Sequence, residues 1–219
     1  LFFGISSFIL ISISGKKSFF KFFGIIWGKT LSLIFNIVLE VKGKSNLSKN
    51  KHYIFAANHA SLIDIPLLFI AINRYTVFIA KNELSNIPIF KSILNKAGFI
   101  FIDRRNNDQA IKSMNKLIYD IKSTPRSVAV FPEGTRTKDG NIQDFKKGAT
   151  VLSLNTKIPI VPVAISGSFK WTKKRFFDLS KSKIIIEFGK PIDSQDFTYE
   201  DRDYLTNIIK KEIIKMGNF

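Results

Sequence analysis

Short apolar runs separated by stretches of helical periodicity constrain this chain more than any other feature. The runs are Tyr53–Ala57, Thr76–Ala80, Phe99–Asp103, Ser127–Phe131, Ile160–Ile165 and Ile184–Phe188, with Leu39–Lys42 a candidate ahead of them. Each has the length of a strand and is nearly unbroken rather than alternating, the pattern of a strand covered on both faces. Between them, helical spacing recurs over Ile65–Ile72, Ile87–Ala97, Asp108–Lys122, Lys147–Asn155 and Tyr199–Lys215. Parallel strands need crossover connections, and helices supply them. The expected fold is therefore α/β, a single largely parallel sheet flanked by helices.

The 219 residues fit one domain, and a hydrophobic content of 45% is enough for a buried core. The 34 Lys and Arg against 17 Asp and Glu give a formal charge of +17. Such a balance points to an anionic partner: nucleic acid, an anionic membrane or a phosphorylated substrate. The 22 Phe favour the membrane, where rings enter the acyl boundary while ammonium groups reach phosphates. The absence of Cys excludes disulfides, thiolate catalysis and Cys-ligated metal.

Residues 1–38 read as a membrane-associated helical segment and 39–219 as the catalytic domain. The run Leu1–Ser14 is uncharged and falls short of the about 20 residues needed to span a bilayer. It could be the tail of a spanning helix. Phe19–Val38 is expected to be a helix, apolar on most sides and interrupted by Lys21, Lys29 and Asn36. Lys16, Lys17 and Lys21 would face headgroups of a helix lying on or dipping into the leaflet. A helix packed on the domain's own core is the alternative.

The sharpest chemical signal is Asn58-His59-Ala60-Ser61-Leu62-Ile63-Asp64, placed after a strand and before a helix. Five positions on a regular helix amount to about 500° of rotation, leaving His59 and Asp64 roughly 140° apart. The two can meet only if His59 sits on the loop and the chain folds back at the helix start. Asp64 would then fix one imidazole nitrogen and leave the other as a base. No Gly-x-Ser-x-Gly elbow supplies a nucleophile. The economical chemistry is direct attack by an acceptor hydroxyl that gives its proton to His59. A second interpretation makes Asp64 a helix cap, or the far end of a capping box from Ser61, beside an unrelated His.

A second signal is Phe131-Pro132-Glu133-Gly134-Thr135-Arg136, a turn at a strand's C-terminal edge, where α/β folds place ligands. Glu133 could hydrogen-bond acceptor hydroxyls, and the planar fork of Arg136 suits phosphate. The same letters also make a serviceable surface turn. Two basic segments stay open between roles. Lys146 and Lys147 could meet phosphate or be solvated. Phe169–Phe177 interleaves aromatic and basic side chains, as a nucleic-acid stacking patch or a membrane-interface loop does.

Taken together, these blocks resemble the 1-acyl-glycerol-3-phosphate acyltransferase family of glycerolipid acyltransferases. The family's His-x4-Asp block matches Asn58–Asp64. Its second block, an apolar strand ending in basic residues, looks like Gly98-Phe99-Ile100-Phe101-Ile102-Asp103-Arg104-Arg105. Its third matches Phe131–Arg136 and its fourth, a proline-containing apolar strand, matches Ile160-Val161-Pro162-Val163-Ala164-Ile165. All four occur in the family's order, within roughly residues 39 to 190. The resemblance implies a glycerolipid acyltransferase-like fold with an N-terminal membrane-associated helical segment. It implies His59 as general base and Asp64 as its orienter. It implies Arg104 and Arg105 at the acceptor phosphate, and Glu133, Gly134, Thr135 and Arg136 around the acceptor. Lys81 falls where relatives carry a lysine, a plausible phosphate contact. Pro162 belongs to a block that is structural or lines the donor pocket.

The implied reaction moves an acyl group from acyl-CoA or acyl carrier protein (acyl-ACP) to the sn-2 hydroxyl of 1-acyl-glycerol-3-phosphate, giving phosphatidic acid. It needs no cofactor and no metal. Expected partners are membrane phospholipid, lysophosphatidic acid and the donor, and no nucleic acid. The expected place is the cytoplasmic face of the cell membrane. The rival enzyme is a related acyltransferase using another lysolipid or glycerol-3-phosphate. The rival from another class is a basic membrane- or nucleic-acid-binding protein without catalysis.

Overall fold

A computed structural model describes residues 18–82, 86, 88–102, 107–174 and 178–217. Helix α1 (Ser18–Ile34) leads into strand β1 (Ile37–Lys42). There follow β2 (Ile54–Ala57), α2 (Asp64–Ile72), β3 (Thr76–Lys81), α3 (Pro88–Lys96), β4 (Ile100–Ile102) and α4 (Asn107–Ser123). The chain continues through β5 (Ser127–Val130), α5 (Gly148–Thr156), β6 (Ile160–Ser166), α6 (Ser168–Thr172), β7 (Ser182–Phe188) and α7 (Arg202–Met216). The strands form one seven-stranded sheet in the order β1-β7-β6-β2-β5-β3-β4. The helices form two groups, α1 with α2, and α4 with α5 and α7.

All neighbouring strands are parallel except β6 and β7, so β1 and β7 run against the other five. The connections decide this. Helices separate β2, β3, β4, β5 and β6 in sequence and carry the chain back for each parallel return. Among the described residues the short α6 is the one helix between β6 and β7, and the two strands run antiparallel. Burial follows the same division. Every residue of β2, β5 and β6 is buried, matching their unbroken apolar sequence. In β7 buried positions alternate with more open ones, and β1 at the sheet's edge is mostly open.

Burying a large aliphatic or aromatic side chain contributes roughly 1.5–3 kcal/mol. Phe55, Phe188, Leu67, Leu68, Leu117, Ile121 and Leu152 are among the fully buried ones that hold the layers together. Phe55 and Phe188 meet edge to face at 5.7 Å, joining β2 to β7 across β6.

Three local outcomes differ from the sequence expectation. The first helix ends at Ile34, short of Val38, because Asn36 turns the backbone left-handed (φ 49°). Ile37 and Val38 then pair with Ser182 and Lys183, so the apolar pattern that extended the helix belongs to a strand. The last helix is preceded by a 3-10 turn at Tyr199–Asp201, where the Thr198 N–H donates to Asp201 Oδ2 at 2.8 Å. Helix α6 occupies part of the expected aromatic–basic loop, and Arg175, Phe176 and Phe177 of that segment lie outside the described residues.

Helix α1 buries Phe20, Gly24 and Gly28, a stripe at four-residue spacing. A β-carbon on Gly28 would run into the Pro66 carbonyl, so glycine lets α1 sit directly on α2. Phe20 packs edge-on against Phe69 and Phe99 at 5.7 and 5.0 Å. Phe22, Leu33 and Ile34 remain exposed. Among the described residues, no helix is long and apolar enough to cross a membrane.

Candidate active site

Beyond the C-terminal ends of β2 and β5 the chain leaves the sheet through two loops that face each other. Residues 58–63 join β2 to α2, and residues 131–147 join β5 to α5. Because β2 and β5 are hydrogen-bonded neighbours, these loops lie side by side although they are far apart in sequence.

His59 sits on the first loop, and the chain bends back as the His–Asp spacing requires. His59 Nδ1 lies 2.8 Å from Asp64 Oδ2. The same oxygen accepts the backbone N–H groups of Ala60 and Ser61, each at 2.8 Å. The Asp64 side chain is 0% exposed and that of His59 is 12% exposed, so only the imidazole keeps an edge toward solvent. Because that oxygen already accepts two N–H groups, the tautomer that fits is the one in which Nδ1 donates to it and Nε2 carries the lone pair. Asp64 also occupies the first turn of α2, where the helix dipole favours negative charge. The side chain orients the imidazole and braces the loop ahead of the helix, whose N-cap residue, Ile63, makes no side-chain cap.

The second loop fixes the backbone of His59. Glu133 Oε1 accepts the His59 N–H at 2.7 Å, and Glu133 Oε2 accepts the Gln143 N–H at 2.8 Å. The His59 carbonyl in turn accepts the Thr137 N–H at 2.9 Å. Glu133 is buried, and burial raises its carboxyl pKa above the ordinary glutamate value against the opposing pull of those two N–H groups. Both of its oxygens face protein. Each oxygen accepts one backbone N–H, so the carboxylate positions the two loops, and the contact with acceptor hydroxyls expected from the sequence remains a proposal. Beneath the imidazole lies the ring of Phe131, stacked at 3.9 Å between centroids and 16° from parallel.

Other parts of the site are held just as locally. Asn58, 4% exposed, donates from Nδ2 to the Ile165 carbonyl at 2.9 Å and accepts the Ile165 N–H on Oδ1 at 2.7 Å, tying the end of β2 to β6. Gly134 takes a left-handed backbone (φ 74°) at the turn, beside the Lys146 side chain. Downstream, Asp139 organises the loop. It accepts from Thr137 Oγ1 at 2.8 Å and from the Asn141 side chain at 2.9 Å, and these bonds, that of Asn141 first, lower its pKa to about 2.

Thr135 and Arg136 are exposed beside this centre. Lys81 ends β3, its Cα paired with Ile102 of β4. Arg104 and Arg105 lie outside the described residues. Lys147 pairs with Asp203 at 2.6 Å on the surface, the solvated alternative for that residue, while Lys146 is exposed. Pro162 is buried within β6 opposite Ala56, a structural place. Among the described residues, no three His or acidic side chains gather closely enough to hold a metal ion.

Sequence reasoning missed Asn58, Phe131, Thr137 and Gln143 as supports of His59. Asn58 carried a signal, a polar residue closing an apolar strand before a loop. Thr137 and Gln143 carried none, because they act through backbone N–H groups.

Residues 38–166 match the family model described as acyltransferase. The chain is 32% identical to the 1-acyl-sn-glycerol-3-phosphate acyltransferase of Cocos nucifera, over 85% of this chain and 60% of that protein. It is 32% identical to the 1-acyl-sn-glycerol-3-phosphate acyltransferase of Saccharomyces cerevisiae, over 90% of this chain and 66% of that one. It thus spans less than two thirds of either relative. The protein of the same name from Borreliella burgdorferi is 32% identical and matched over 71% of its length and 82% of this chain. Among solved structures, the 1-acyl-sn-glycerophosphate (LPA) acyltransferase PlsC from Thermotoga maritima superposes with a TM-score of 0.76. That match has 26% identity and covers 98% of this chain and 87% of the other.

Proposed function

The chain belongs to the acyltransferase family, and from that premise we propose that it acylates the sn-2 hydroxyl of 1-acyl-glycerol-3-phosphate to give phosphatidic acid. The donor is an acyl thioester, acyl-CoA or acyl-ACP. His59 Nε2 takes the hydroxyl proton as the oxygen attacks the thioester carbonyl. The tetrahedral intermediate collapses with cleavage of the C–S bond, and the imidazolium returns the proton to the departing thiolate. Asp64 holds Nδ1–H throughout and stabilises the transient positive charge. Glu133 acts one step back, setting the backbone from which the imidazole projects. Arg104, Arg105 and Arg136, with Lys81, meet the acceptor phosphate, while Gly134 and Thr135 shape the turn around it.

The observation that carries this reading is the 2.8 Å contact between His59 Nδ1 and a fully buried Asp64, with the other ring nitrogen left for a substrate. Support for the substrate comes from the names of the relatives. The protein's proposed location is the cytoplasmic face of the membrane, a reading that the exposed Phe22, Leu33 and Ile34 of α1 support. The test incubates the purified chain in detergent or vesicles with lysophosphatidic acid and either thioester, and follows phosphatidic acid by mass. Product with at least one donor is expected. Folded protein that makes none with either donor overturns the reading.

A further inference from the structure

At the opposite edge of the sheet, where β2, β3 and β5 begin, lies a cleft of about 610 Å³. The length of β2, roughly 13 Å, separates it from the loop bearing His59. Lys49, Lys51, His52, Arg74, Tyr75 and Arg126 line it, and its lining contains no Asp or Glu. Among the described residues, Lys49, Lys51, Arg74 and Arg126 make no ion pair. Four permanently charged side chains without an ion pair therefore belong to the lining of one cleft.

Of those charges Arg126 is withdrawn from water and Arg74 is half-buried. Arg126 is 7% exposed. Its Nη1 donates to the carbonyls of Asp120 and Thr124 at the end of α4, at 3.3 and 3.2 Å, which accounts for one of its three nitrogens. Its Nε is buried with no partner. Arg74 spreads its guanidinium over the rings of Tyr53 and Phe55 at 5.4 and 6.0 Å, and burial lowers its pKa from the ordinary arginine value. Capping a helix explains part of Arg126 and nothing of its missing counter-ion. A buried cation is normally paired, and an orphan buried donor is rare.

The cleft is also built as a unit. Arg74 Nη1 donates to the carbonyls of Ser48 and Lys51 at 3.2 and 2.9 Å. One guanidinium thus ties down the loop that carries both lysines at the rim. Guanidinium forks below and mobile ammonium groups above suit tetrahedral oxyanions, which accept from several directions at once. The volume lies within the range of small-ligand sites, and the cleft is open to solvent on one side.

We propose that this cleft is a second ligand site that recognises phosphate groups. Its occupant is either a soluble phosphate compound or the phosphate of a lipid headgroup. It stands apart from the acyl-transfer centre and does not depend on the assignment of that activity.

The test titrates the full chain by calorimetry with inorganic pyrophosphate at constant ionic strength. A parallel measurement follows sedimentation with vesicles of phosphatidylcholine, alone or with phosphatidic acid. Lys49→Ala/Lys51→Ala is the main variant, since both side chains are exposed and the fold does not need them. Arg126→Gln is the second. Pyrophosphate binding that weakens about tenfold or more in the double variant, with acyl transfer unchanged, supports a soluble ligand. Dependence on phosphatidic acid that is lost in the same variant, without pyrophosphate binding, supports the headgroup. If the wild-type chain binds neither probe, or the double variant binds both as well as wild type, the proposal is overturned. Should Arg126→Gln fail to fold, the lysine variant alone decides.

Discussion

At the C-terminal end of β2 and β5, a buried carboxylate meets an imidazole and two backbone N–H groups, whereas at the opposite end Arg74 and Arg126 reach only carbonyl oxygens and aromatic faces. The same strands carry both arrangements. At one end Asp64 Oδ2, the imidazole and two N–H groups satisfy each other, so the imidazole is oriented before anything binds, although Asp64 Oδ1 is buried without a partner. At the other end the positive charges are gathered and left uncompensated. The first pattern suits a group that must hold a fixed direction during a reaction, because preorganised dipoles need no rearrangement at the critical moment. The second suits a place that gains from an arriving anion.

The contrast implies a ranking of substitutions. His59→Ala should lower turnover most, by about 10²- to 10⁴-fold, while unfolding temperature stays close to wild type. Steady-state kinetics beside a melting curve measures both, and near-wild-type turnover would remove the imidazole from the reaction. Glu133→Gln comes next. An amide can accept only one of the two N–H groups that the carboxylate serves, leaving one buried donor unmet at about 1–3 kcal/mol, or roughly 5- to 150-fold. The loss should fall on kcat more than on KM, since the imidazole is displaced rather than the substrate. Equal changes in both would point instead to direct contact with substrate.

Gly134→Ala should destabilise the chain by about 1–2 kcal/mol, because alanine resists a left-handed backbone, with an unfolding temperature lower by about 2–8 °C. The effect of Asp139→Asn is smaller and depends on pH. The folded-state pKa of Asp139 is depressed from 3.8 to about 2. Its contribution is therefore complete above the unfolded value and disappears as pH falls through the folded one. The gap in melting temperature between wild type and Asp139→Asn should be steady near neutrality and close between about pH 4 and pH 2. A gap that widens with acid would contradict the hydrogen bonding described for that loop. At the cleft, Lys49→Ala/Lys51→Ala should change stability by no more than about 0.5 kcal/mol in phosphate-free buffer and leave turnover alone. A larger loss would mean that the two ends of the sheet are less independent than their geometry suggests.

Much of the architecture could be read from the letters because it rests on local pattern. The unbroken apolar runs of β2, β5 and β6 are buried on both faces, and the helical segments between them are helices. The meeting of His59 with Asp64 was also legible, since a bend between strand and helix is the only way five positions can close. What escaped was set by pairing across the sheet. Nothing local distinguishes Ile37 and Val38 as strand rather than helix until Ser182 and Lys183 are beside them. Nothing in Glu133 announces that its partners are two backbone N–H groups rather than a ligand, because the His59 backbone is 74 residues away. The basic cleft escaped for the same reason: Lys51, Arg74 and Arg126 belong to three separate segments that only the sheet brings together.

The clasp on His59 has a consequence for how the molecule comes into being. A ribosome delivers the imidazole early, but Glu133 follows 74 residues later, and Ile165, which receives Asn58, follows 107 residues after that asparagine. Until both have emerged and docked, the loop bearing His59 has only its local contacts to Asp64. Competence is therefore acquired late and abruptly. Recovered turnover during refolding would serve as a clock for the docking of β5 and β6 rather than for the first strands to form.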